Sequence, residues 1–259
     1  MKLLPLSALL AATLLAGAAR AQSTVEFGPR LGVNLATMTS SGAPEGFNQD
    51  TKSVVGLQVG ATVSIGLGTN LAFQPSLLFT QKGAEFTGSQ TDRSNRPYVT
   101  TASVTATPKL HYLELPLNLV YTVGGAEGFQ VFAGPYVALG VGGGGSFKGE
   151  LVSNDPNYSP FAGTYPGSLK VEFAAQQDPN ANNPSNPNSG ALSYTFTARR
   201  FDAGFNGGFG YRFGPFQAQL GYGFGLVNFV PKDANGNDTG SKGYNRAFQL
   251  SANYFLGGK

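Results

Sequence analysis

The chain has 259 residues, of which 37 are glycine and 20 phenylalanine, with no cysteine and no tryptophan. Only 12% are charged, against roughly a quarter in soluble domains, which argues against a conventional soluble fold. The net charge of +3 is small and dispersed, so a nucleic-acid surface is excluded; lack of cysteine excludes a disulfide framework and a lipid-modified N-terminal cysteine.

MKLLPLSALLAATLLAGAARA opens with Lys2, runs through an apolar stretch from Leu3 to Ala18 and ends Ala19-Arg20-Ala21. This is the layout of a secretory signal peptide over 1–21, and the mature protein, 22–259, is predicted to start at Gln22. No later segment has the composition of a membrane-spanning helix, so any residence in a membrane requires strands.

Thr24 to Met38 alternates, with Val25, Phe27, Leu31, Val33 and Leu35 on one face and Glu26, Arg30 and Asn34 on the other. A period of two is a strand with one apolar face. Thr39 to Thr51 reads as a loop. Lys52 to Gly66 is the second strand, and Leu67 to Asn70 a tight turn. The third, Leu71 to Phe86, sends Phe73, Leu77 and Phe79 to one side and Gln74, Ser76, Thr80 and Lys82 to the other. Pro75 lies within it and predicts a bulge, because proline lacks the ladder donor. Thr87 to Thr107 reads as a polar loop.

Lys109 to Val123 places Leu113, Leu115, Leu117, Leu119 and Tyr121 opposite Tyr112, Glu114, Pro116 and Asn118. Phe129 to Phe147 follows a short turn, with Gln130 and Tyr136 on its polar face. Lys148 to Tyr194 is rich in Asn, Pro and Ser and predicts a long external loop, in which Leu169 to Ala174 could form a small arm. The clearest pattern comes next. Phe201 to Phe213 sets Phe201, Phe205, Phe209, Tyr211 and Phe213 against Asp202, Asn206 and Arg212. After Gly214-Pro215 the alternation resumes as Phe216, Ala218, Leu220, Tyr222 and Phe224 against Gln217 and Gln219. Arg246 to Leu256 closes the set.

These eight strands are long enough to cross a bilayer at a tilt, which takes roughly 9–11 residues. Short turns alternate with long polar loops, and aromatics gather at the predicted borders: Phe27, Phe73, Tyr121, Phe129, Phe213, Phe216 and Tyr254 at one, Phe79, Phe201, Phe229 and Phe248 at the other. The pattern predicts an all-β, eight-stranded antiparallel up-and-down transmembrane β-barrel in a bacterial outer membrane, both termini periplasmic. The competing reading is a soluble sandwich or lipocalin-like barrel, with the large residues inward. Phe205, Leu220 and Leu115 against Asn206, Gln219 and Glu114 discriminate the two.

FGPRLGVN, GLQVGATVSIGL, HYLELPLNLVY, GPYVALG and FDAGFNGGFGYRFG occur in that order. As an ordered set they resemble the PorT-like outer-membrane β-barrel family. The resemblance implies an eight-stranded barrel in the outer membrane and an association with secretion of surface proteins.

Eight strands enclose a lumen that side chains can fill. Glu26, Arg30, Tyr112, Glu114, Asn118, Tyr136, Asp202, Asn206, Arg212, Gln217 and Gln219 are expected to form a hydrogen-bonded network there, the two arginines partnering the three carboxylates. Such a network either rigidifies the barrel or forms a narrow proton or ion path. An enzyme would need a serine, a histidine and an acid together; the single His111 is expected on the lipid face, with Glu114 pointing away. Asp233, Asn235, Asn237 and Asp238 lack the closing glutamate of a calcium loop and read as turn formers. The expectation is a non-enzymatic protein without cofactor or metal, monomeric, whose partners are outer-membrane lipid and a protein bound at the external loops. The alternative is a small channel or transporter.

Overall fold

The computed structural model describes residues 24–41, 48–178 and 192–257; the predicted signal peptide lies outside the described residues. Ten strands form: β1 (Val25–Ser41), β2 (Asn48–Gly66), β3 (Leu71–Asp92), β4 (Thr100–Thr122), β5 (Gly128–Ser153), β6 (Gly163–Phe173), β7 (Leu192–Ala198), β8 (Phe201–Phe213), β9 (Phe216–Gly225) and β10 (Lys242–Tyr254). Eight of them close into an antiparallel ring, β1-β2-β3-β4-β5-β8-β9-β10, sealed by the β1–β10 ladder from Arg30↔Asn253 to Ser41↔Lys242. β1 begins and β10 ends at the end of the ring that carries the short turns, where Phe27 bridges Leu256. The β8–β9 turn is tight because Gly214 takes φ +53, a backbone conformation glycine tolerates.

The alternation read from the sequence fixes the faces. Phe205, Leu220 and Leu115 lie outward at 57%, 41% and 38% exposure, while Asn206, Gln219 and Glu114 are buried in the lumen. That outcome excludes the soluble-barrel reading. Outward aromatics pack with one another along the surface, as Phe213 on Phe216 at 5.4 Å and Phe216 on Tyr254 at 4.9 Å.

Three expectations change. First, the ring strands do not stop where the apolar alternation stops. β3 continues to Asp92 and β4 starts at Thr100, so most of the predicted loop 87–107 is a ladder, running from Phe86↔Ala106 to Asp92↔Thr100. Likewise, β5 runs to Ser153, and 148–194 contains β6 and the start of β7. These segments carry Ser and Thr on both faces and so lack a periodic signal; hydroxyl pairs such as Thr91 with Thr101 (3.1 Å) and Thr100 with Ser153 (2.7 Å) join them across the strands.

Second, Pro75 makes no bulge. Leu71↔Tyr121 and Leu78↔Glu114 keep one register with the ladder merely skipping two rows after Pro75↔Leu117. A missing donor can be accommodated by dropping bonds locally, without inserting a residue. The register shifts lie instead between Ser53 and Gln58 and between His111 and Tyr112. Third, Phe229 is no border aromatic: it is 6% exposed and turned into the barrel mouth.

Above the ring β5 changes partner. Its lower part, Gly128 to Leu139, pairs with β8; its upper part, Gly144 to Leu151, pairs with β6. β6 in turn carries β7 in parallel. The upper parts of β2, β3, β4 and β5 with β6 and β7 thus form one six-stranded sheet standing on the ring.

Candidate functional site

The lumen is built in layers. At the short-turn end Arg212 Nη2 donates to both Glu26 oxygens, at 2.8 and 2.7 Å, and its guanidinium lies 4.7 Å from the Phe255 ring. These groups rim an open mouth of about 870 Å³, whose floor includes Gln74 and Gln130. Above it an amide and hydroxyl layer spans the barrel. Gln217 Nε2 donates to Gln130 Oε1 (2.7 Å) and Gln74 Oε1 (3.3 Å), and Asn253 Nδ2 donates to Gln217 Oε1 at 2.9 Å. Next comes Arg30, 3% exposed, which donates to Gln219 Oε1 (3.0 Å) and Gln58 Oε1 (3.4 Å).

The central layer gathers around Lys82. Its Nζ stands 2.7 Å from Glu114 Oε2 and 3.2 Å from Asp202 Oδ2, with all three side chains at most 4% exposed. Tyr136 Oη (3.2 Å) and Asn245 Nδ2 (3.0 Å) donate to the same Asp202 oxygen. Lys82 Nζ also lies 4.4 Å from the Tyr136 ring centroid and 5.4 Å from that of Tyr112, a cation–π arrangement. Among the described residues Glu114 has no partner at bonding distance besides Lys82. Arg30 also feels the Glu114 charge, so two buried cations balance two buried carboxylates.

This corrects the expected pairing. Arg212 does take a carboxylate, but Arg30 donates to amides, and the cation serving Glu114 and Asp202 is Lys82. Lys82 was legible as inward-facing; Glu114 reaches it from the neighbouring strand β4, whereas Asp202 reaches it from β8. Tyr112 and Tyr136 flank it. Asn118 and Asn206 are buried at 2% and 5% exposure, each with an Oδ1 that has no partner in the described residues.

At the long-hairpin end the polar lumen stops at an apolar cluster. Met38, Ala84, Leu110, Tyr112, Tyr136, Ala138, Val171, Ala198 and Phe229 are buried together, with Phe86, Phe173, Phe196 and Val230 against them. Two rings are seated on glycines. A Cβ on Gly140 would come within 2.4 Å of the Phe173 ring, and one on Gly243 within 2.4 Å of the Phe229 ring. β6, β7 and the segment after β9 therefore close the barrel from the side where the sheet stands.

His111 packs its ring on Phe79 at 5.4 Å and contacts Gln81 Nε2 at 3.2 Å, while Glu114 lies in the lumen; these two side chains are not brought together. Among the described residues no three His, Cys, Asp or Glu side chains gather to hold a metal. Asp233 organises its turn by accepting the Asn235 and Asn237 amides at 2.9 and 2.7 Å, and the Asn237 backbone bond holds its carboxyl below the ordinary value.

The sequence model of the outer membrane protein beta-barrel domain matches residues 20–230, and the chain belongs to that family. It is an integral protein of the bacterial outer membrane. No curated protein matches it. Similar solved structures include the attachment invasion locus protein Ail of Yersinia pestis, solved with the heparin analogue sucrose octasulfate, at 10% identity and a TM-score of 0.35, covering 90% of this chain and 99% of that one. The NanC porin is similar at 10% identity and a TM-score of 0.24, over 90% and 100% of the two chains. The translocator domain of the autotransporter NalP from Neisseria meningitidis stands at 10% and 0.24, over 96% and 95%. The family assignment rests on the sequence match.

Proposed function

We propose that this outer-membrane β-barrel is a non-enzymatic binding protein that presents the sheet of β2 to β7 to the cell exterior and serves envelope assembly or secretion of surface proteins. Short turns on the periplasmic side and long hairpins outside are the rule for such barrels, so both termini are periplasmic. The single observation behind the reading is that the lumen is filled by its own bonded side chains and closed by the Phe173 and Phe229 cluster, while a large sheet stands free above it. The ordered motifs shared with PorT-like barrels support the same direction. Replacing 148–194 by a short turn and comparing proteins cross-linked in intact outer membranes tests it; an unchanged set of partners counts against it.

A small-solute or proton path is the second reading, favoured by the buried polar atoms without partners at Asn118, Asn206, Glu114 and Asp202, which suit water. Conduction would require the apolar cluster to open. Planar-bilayer recordings separate the two: a steady conductance from the intact chain supports the path, and silence supports the binding protein.

A further inference from the structure

The sheet above the barrel ends in two edges, and they are built differently. One is the upper part of β2. Its pairing with β1 stops at Ala36↔Val54, while its pairing with β3 reaches up to Asn48↔Ser89. Asp50 and Lys52 stand on that edge, and Lys52 pairs with Glu85 at 3.5 Å. Charges on an exposed edge keep further strands from adding. The other edge is β7, bonded along one side to β6 from Gly167↔Leu192 to Phe173↔Ala198. Along its other side no described backbone group pairs with Ser193 to Thr197; the first contact there is the Arg199 amide to the Phe229 carbonyl, just below the strand. LSYTFTA contains no charge, proline or glycine, and β7 has no bulge.

Its two faces are already specified. Tyr194 and Phe196 continue the apolar rows of Leu169 and Val171, with Tyr194 4.3 Å from the Phe147 ring and Phe196 6.5 Å from Phe229. Ser193, Thr195 and Thr197 alternate with them. A strand added at this edge would satisfy the amides and carbonyls of Ser193 to Thr197 that pair with no described backbone group, and would extend both faces.

We propose that β7 is a strand-addition site for an extended segment of an external protein, one alternating apolar residues with small uncharged polar ones. A second copy of this chain does not fit. In one membrane both copies point β7 the same way, so pairing about a two-fold axis along the membrane normal would be parallel and would set their apolar faces on opposite sides. A segment of a different protein has neither restriction. The inference rests on the reading that the sheet is external, and it names how the partner is held.

The test uses the full chain in detergent micelles and a short fluorescent peptide of alternating valine and threonine with lysine at each end. Anisotropy should show saturable binding. Thr195→Pro removes a backbone donor, and Thr197→Lys guards the edge while facing Glu172 across the ladder. Each should weaken binding at least about tenfold while the barrel keeps its heat-modifiable mobility on gels. Should Thr195→Pro fail to fold, Thr197→Lys decides. No saturable binding by the intact chain, or unchanged affinity in the folded variants, overturns the proposal. Labelling of Lys148 in whole cells by an impermeant amine reagent checks the premise separately. Labelling without peptide binding sinks the edge site alone, whereas peptide binding without labelling sinks the external reading.

Discussion

Replacing Lys82 with methionine tests the central layer most directly. The substitution keeps most of the side-chain volume but removes the one cation within salt-bridge distance of both Glu114 and Asp202, at 2.7 and 3.2 Å and nearly free of solvent. Breaking a buried ion pair by removing one partner costs about 3–5 kcal/mol, because the other charge stays behind without compensation. Here two carboxylates stay behind, so Lys82→Met should fall at the upper part of that range. The carboxylates are not equivalent. Without Lys82, Glu114 keeps no partner among the described residues, whereas Asp202 keeps those from Tyr136 and Asn245. Adding Glu114→Gln to Lys82→Met should therefore recover more stability than adding Asp202→Asn. Urea unfolding of the barrel in detergent micelles, followed by tyrosine fluorescence and gel mobility, measures the three variants against the intact chain. A Lys82→Met loss below about 1 kcal/mol, or equal recovery by the two second substitutions, would refute the account of this layer.

Glu26→Ala breaks the partly buried Arg212 pair at the short-turn mouth and should cost about 1.5–3 kcal/mol, less than Lys82→Met in the same unfolding assay. Gly208→Ala sets a Cβ 2.2 Å from the Leu220 carbonyl, so it should destabilise the β8–β9 pairing by about 1–3 kcal/mol, read as an earlier loss of gel-shift on heating. The double substitution Phe173→Ala and Phe229→Ala empties both glycine seats and should admit small solutes that the intact chain excludes, measured by liposome swelling; equal exclusion would show that the cluster is not the seal. In the last loop, the Asp233 carboxyl should titrate below 3.8, its ordinary value, since the Asn237 backbone bond favours the charged form. With a folded value below the unfolded one, its contribution to the turn is present above the unfolded value and lost as pH falls through the folded one. NMR of the Asn237 amide across that range checks it.

Residue parity was enough to place side chains on the correct wall. Asn206 and Gln219 follow from their positions between Phe205 and Phe209 and between Ala218 and Leu220, because a strand turns over at every residue. The same rule put Lys82 inside. It could not say that Lys82 would meet Asp202 as well as Glu114, since Asp202 lies 120 residues away on β8, which is separated from β3 by β4 and β5. Arg30 illustrates the converse: charge complementarity suggested a carboxylate, but the height of Arg30 in the closed barrel brings it to Gln58 and Gln219 instead.

By itself the sequence settled the strand character, the two faces and the crossing length, because these depend on periodicity within a segment and on the contrast between hydrocarbon and a polar interior. Only the tertiary structure decided how far the hairpins rise, where β5 exchanges β8 for β6, and that Phe229 seals the mouth rather than lying at the border. Those features come from hydrogen bonds and ring contacts between distant segments whose composition is polar or glycine-rich on both sides. Such segments have no alternation to betray them, and they become ordered through the partners that the closed ring brings within reach.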